Sequence, residues 1–264
     1  MTAAEELLRK LGITDPTEID LEAIAWTVGA QIRYRPLDGC EARIVGCADR
    51  AIITINSRST SRRRRFSIGH ELGHWEHHRN RILVCRSDDI GNSHSATSAA
   101  ERIADRYAAD LLMPGYLFDP VARAKKRFDF QTIRAIADQF DTSLPATAIR
   151  LIERRHCIGI LLCHGPGGRK WFTRSPLIPE RWFPQEQLDP QSFAFDVLFG
   201  HEDDDRLPRK IGADAWFDRR EADRFEISEQ TLRTSEDEIL TLLLADDEGM
   251  LDETEAGTGR YPRR

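Results

Sequence analysis

The sequence predicts an α+β protein in which a helix-rich part with a small antiparallel sheet precedes a smaller, strand-rich part. Three observations lead there. Up to about residue 155, segments with apolar residues at three- and four-residue steps alternate with short strand-like runs. Beyond it the pattern changes to period-two alternation and Gly/Pro turns. The chain has 264 residues, 40% hydrophobic and 31% charged, a globular composition long enough to bury a core without disulfides.

Each element has a local reason. Ala3 to Leu11 is an amphipathic helix, and Leu21 to Val28 a second, with Asp20 as N-cap and Gly29 as its stop. Gln31 to Arg35 and Ala51 to Asn56 alternate as strands, and Glu41 to Gly46 is a third. Phe66 to His78 continues from an Arg-rich connection as a helix. Arg81 to Thr97 reads as a mixed loop holding Cys85. From Ser98 to Met113, Ile103, Ala104, Tyr107, Ala108, Leu111 and Leu112 mark one helix face, ended by Pro114 and Gly115. Phe130 to Phe140 and Leu144 to Arg154 form a helical hairpin around Asp141, Thr142 and Ser143.

After the boundary, Cys157 to Cys163 and Lys170 to Thr173 are strands joined by the turn His164 to Arg169. A Pro-rich stretch follows, then alternating runs at Phe225 to Leu232 and Ile239 to Ala245. The expected domains are therefore 1–155 and 156–255. Residues 256–264 have no apolar pattern and read as a disordered tail.

Charge and cysteines narrow the class of protein. The net charge is 38 minus 44, or −6, and it is uneven. Residues 201–255 hold 7 basic and 19 acidic groups, a net of −12, whereas 1–200 hold 28 and 25, a net of +3. The acidic stretch opposes phosphate backbones, so no direct nucleic-acid binding is expected. Five cysteines without a CxxC pair fit a reducing compartment. The N-terminal helix lacks an apolar signal core, and no run approaches the roughly 18 residues of a membrane span. A cytoplasmic location without membrane contact is the expectation.

The chemistry concentrates at residues 70–74, His-Glu-Leu-Gly-His. On a helix, i and i+4 share a face, so His70 and His74 can present two imidazoles to one ion. Glu71, displaced by one residue, can reach a water on that ion. With 8 His and 20 Glu in the chain, chance gives this pattern about 0.02 times per sequence. A catalytic metal takes a third protein ligand and keeps one position open. Glu101 is the candidate ligand. Asp105, one turn later, is placed to accept a hydrogen bond from a ligand imidazole. No oxyanion donor is assigned; His94, Tyr116 and Tyr34 are candidates by position alone. Arg62 to Arg65 reads as a solvated basic face, and Cys85 as a buried thiol.

Residues 65–78, RFSIGHELGHWEHH, followed by 101–114, ERIADRYAADLLMP, resemble the ImmA/IrrE family of metallopeptidases. Glu101 falls on that family's ligand glutamate. Asp105 stands where an Asn is usual and Tyr107 where a Phe is usual. The Glu101/Asp105 pair is also similar to the Glu-x-x-x-Asp signature of gluzincins. The resemblance covers about residues 20–155. It implies a zincin-like domain holding one zinc through His70, His74 and Glu101, with manganese or iron as other occupants of such a site. It also implies Glu71 as general base and selective cleavage of a regulatory protein, often a helix-turn-helix repressor. The second domain would then sense a signal or hold the substrate. A competing reading from another class is a non-catalytic regulator, in which the metal is structural and the 130–154 hairpin binds a partner or DNA through Arg150 and Arg154. A zinc hydrolase acting on other carbonyls is a third.

Overall fold

The computed structural model describes residues 1–77, 83–85, 99–200 and 204–252, with only the backbone for 83–85 and 248. The chain divides into two compact units, Met1–Arg150 and Leu151–Arg264.

In the first unit the helices are α1 (Ala3–Lys10), α2 (Leu21–Thr27), α3 (Ser61–His77), α4 (Ala99–Leu112), α5 (Gly115–Arg123), α6 (Phe130–Phe140) and α7 (Leu144–Glu153), whose last turn crosses the division. The strands are β1 (Ala30–Arg35), β2 (Ala42–Cys47), β3 (Arg50–Asn56) and β4 (Leu83–Cys85). Capping follows the sequence closely. Thr2 and Glu5 form a capping box on α1, and Asp20 accepts from Glu22 N and Ala23 N at the start of α2.

The α+β class is as expected, but one detail of the sheet differs. It is mixed, in the order β1-β3-β2-β4, with β1 and β3 parallel and the other pairs antiparallel. The cause is the order of insertion. The link from β1 to β2 is long enough to leave a gap one strand wide. The tight turn after β2 then returns β3 into that gap. One sheet face buries Ile44, Ile53 and Ile55 against α1, α2 and α3, through Leu8, Ile24 and Leu72.

Two helices differ from expectation. The Arg-rich connection is helical, so α3 begins at Ser61 rather than at Phe66. Pro114 does end α4, but it also serves as N-cap of α5, whose first residue is Gly115.

The second unit holds β5 (Gly159–Gly165), β6 (Gly168–Arg174), α8 (Phe193–Phe199), β7 (Arg209–Gly212), β8 (Glu226–Ser235) and β9 (Glu238–Leu244). Its sheet is antiparallel throughout, in the order β6-β5-β9-β8-β7. β5 is buried along its whole length, which explains its unbroken apolar run. Ile160, Leu162, Trp182, Trp216, Phe217 and Leu243 form the core. The residues expected to form the tail lie outside the described ones.

Candidate metal centre

The site is built where α3 crosses α4, the most extensive helix contact of the first unit. Small residues make the approach possible. Gly69 and Gly73 of α3 face Ala108 and Ala104 of α4. A Cβ at Gly73 would stand 2.9 Å from Ala104 Cα, and one at Gly69 3.2 Å from Ala108 Cα. Side chains larger than hydrogen at these two positions would hold the helices apart. The i,i+4 pairs Gly69/Gly73 and Ala104/Ala108 are visible in the sequence, and they are the signal from which this seam could have been read.

The close approach brings Glu101 of α4 against the two histidines of α3. Glu101 Oε2 lies 3.1 Å from His70 Nε2 and 3.4 Å from His74 Nε2, and the two Nε2 atoms are 3.0 Å apart. His70, His74 and Glu101 are the group of ligand atoms able to hold a metal ion among the described residues. At a metal–ligand distance near 2.05 Å, a tetrahedral edge is about 3.3 Å. The three observed separations match that edge, so the cluster fits a tetrahedral divalent ion with one position left over.

Burial and hydrogen bonding tune the cluster. His70 and Glu71 are fully buried, and His74 is 1% exposed. Asp105 Oδ1 lies 2.8 Å from His70 Nδ1, so the carboxylate holds the ring with its Nε2 towards Glu101 and His74. Burial alone would push the His70 pKa down. The bonds to Asp105 and Glu101 outweigh it and hold the pKa up at about 9. The same contacts, with His70 first and His74 second, pull Glu101 down to about 2. The two imidazoles and the carboxylate are thus electrostatically coupled within one buried cluster. Glu71 is one residue round the helix from His70, inside the same buried region.

Of the other residues singled out in the sequence, the described ones do not join the cluster. Tyr116 donates to Ile13 O at 2.7 Å, and Tyr34 donates to Glu22 at 2.8 Å. His94 lies outside the described residues, as does the side chain of Cys85. The basic run is largely an internal clamp rather than a solvated face. Arg62 pairs with Asp138 and Asp141, Arg63 with Glu41, and Arg65 with Asp141, while Arg64 stands over the Tyr34 ring. In the helical hairpin, Arg150 is 5% exposed. It pairs with Asp110 at 2.7 Å and donates twice to Met113 O, so it is not presented to a phosphate backbone. No described helix is long and apolar enough to cross a membrane.

Two packed helices thus raise a buried His/His/carboxylate cluster, able to hold a metal ion, beside a small mixed sheet. Residues 26–151, which lie almost wholly in the first unit, match the peptidase family model described as the IrrE N-terminal-like domain. A Mycobacterium tuberculosis transcriptional regulator of known structure is similar in fold. The two share 14% identity over 92% of this chain and 74% of that chain, with a TM-score of 0.59. No curated protein matches the chain.

Proposed function

We propose that the chain is a zinc-dependent endopeptidase that cleaves a specific regulatory protein, such as a helix-turn-helix repressor. His70, His74 and Glu101 would hold one zinc ion. The observation that carries this reading is the match of the three ligand-atom separations to a tetrahedral edge, with the Glu71 carboxylate buried beside them. Zinc bound there supplies Lewis acidity and a water acidified towards neutrality. Glu71 takes the proton from the attacking water and passes it to the leaving amine. Asp105 accepts a hydrogen bond from His70 Nδ1 and so would keep Nε2 free to hold the ion.

The family match over residues 26–151 supports peptide chemistry, and the regulator that shares the fold is in keeping with a regulatory setting. In this reading the second unit holds the substrate or senses the signal that releases activity, and the protein works in the cytoplasm. The test is Glu71→Gln, which is nearly isosteric and removes no ligand. It should keep about one zinc per chain and lose turnover of a co-expressed candidate repressor by roughly 100-fold or more. Undiminished cleavage by the variant sinks the mechanism. Loss of zinc would instead make Glu71 a ligand.

A further inference from the structure

The outer face of the first sheet carries arginines that the fold does not use. Register sets Arg33 of β1, Thr54 of β3 and Arg43 of β2 side by side across three strands. They stand on the face opposite Ile44, Ile53 and Ile55. Arg33 and Arg43 are exposed, and Thr54, between them, is 8% exposed. With strands about 4.8 Å apart, the two arginine Cα atoms are roughly 10 Å from one another. The next row is Gln31, Ile52 and Val45, whose two apolar members are 38% and 52% exposed. Arg35 extends the charged side along β1.

The sequences of β1, β2 and β3 contain no Asp or Glu, so nothing on these strands offsets the charge. Several other arginines of the unit have carboxylate partners, as Arg58 with Asp38, Arg62 with Asp138 and Arg150 with Asp110. Among the described residues, Arg33, Arg35 and Arg43 have no carboxylate partner. Arg33 donates to Gln31 Oε1 at 3.3 Å.

We infer that this face docks a protein segment carrying two or more carboxylates around an apolar side chain. The carboxylates would meet Arg33 and Arg43, and the apolar group would cover Ile52 and Val45. Charge complementarity selects an anionic partner, and the apolar row selects protein over nucleic acid, because phosphates would leave Ile52 and Val45 idle. No aromatic ring stands on this face of β1 to β3 for bases to stack on. The inference goes beyond the peptidase reading and does not depend on it, since the metal cluster lies across the sheet on α3 and α4.

Fluorescence anisotropy of the full chain with a labelled peptide of repeating Glu-Glu-Leu units tests it. Two further probes are the same peptide with Gln for Glu, and a single-stranded oligonucleotide of equal length. The Glu peptide should bind, weaken on going from about 50 mM to about 300 mM salt, and outcompete both other probes. Arg33→Glu with Arg43→Glu should weaken it by at least about tenfold. The milder pair Arg33→Gln and Arg43→Gln should give an intermediate loss while melting and zinc content stay at wild-type values. No binding of the Glu peptide, equal binding by the charge-reversed protein, or preference for the oligonucleotide each overturns the inference.

Discussion

Two buried imidazoles, one in each unit, stand in opposite electrostatic states. His70 and His164 are both fully buried. Around His70 are Asp105 at 2.8 Å and Glu101 at 3.1 Å, and its pKa is held up at about 9. His164, on β5, has neither ring nitrogen within hydrogen-bonding distance of a described partner, and its ring meets the edge of Trp216. Burial, with the nearby Arg169 charge adding to it, pushes its pKa down to about 4. Burial is thus common to both and decides nothing. What separates the candidate ligand His70 from the packing histidine His164 is the carboxylates brought to it by a second element. The second unit has a buried carboxylate too, Glu229, but its oxygens accept from Ala194 N at 2.6 Å and Trp216 Nε1 at 2.8 Å. It caps α8 and anchors an indole, and no described histidine shares it.

The largest expected effect separates the two imidazoles outright. His70→Ala, His74→Ala and Glu101→Ala should each abolish the bound zinc, whereas His164→Leu should retain about one ion per chain. Elemental analysis after gel filtration checks this. Retention by Glu101→Ala would mean that the third ligand lies elsewhere.

Removing the carboxylate behind the ring is a finer cut. Asp105→Ala should weaken zinc affinity by roughly 10–100-fold. Asp105→Asn should be milder, since the amide oxygen still accepts the imidazole proton. Chelator competition at one pH ranks the three proteins, and equal affinities would reduce Asp105 to ordinary helix polarity.

The packing histidine makes a pH prediction. The folded pKa of His164 lies below its unfolded value of about 6.5, so the unfolded chain binds the extra proton between pH 6.5 and 4. Stability attributable to this group is complete above that window and is lost as pH falls through it. From pH 7 to pH 5 the loss is about 2 kcal/mol by linkage. Urea titrations should show His164→Leu flattening the acid slope by that amount, and an unchanged slope would place the ring in a polar setting.

The smallest effect concerns the helix seam. Overpacking costs typically about 1–3 kcal/mol, and replacing a helical glycine with alanine returns about 1 kcal/mol. Gly73→Ala, whose new methyl meets Ala104 backbone, should therefore lose about 1 kcal/mol net and weaken zinc binding with it. A gain in stability with unchanged affinity would show that α3 and α4 have slack.

Much of the site was legible because it is local. The i,i+4 spacing put His70 and His74 on one face, and the period of α4 placed Glu101 and Asp105 one turn apart. What stayed hidden is long-range. The insertion of β3 between β1 and β2 depends on loop geometry rather than on strand composition. The helical Arg run is fixed by Asp138 and Asp141, more than 70 residues away in sequence. A rule that treats Pro114 and Gly115 as a stop cannot also see that Pro114 caps the start of α5.

The first turn of the chain depends on residues far along it. Glu5, already in the cap of α1, also accepts from Gly115 N at 2.7 Å, and α1 packs on α4. During synthesis α1 leaves the ribosome long before either partner exists. At about 5–20 residues per second, the wait for Gly115 is on the order of 5–20 s. Over that interval Ala4 and Leu8, both fully buried in the finished fold, face water or a chaperone. The first unit therefore closes around its N-terminal helix only once α4 and α5 have emerged to reach back to it.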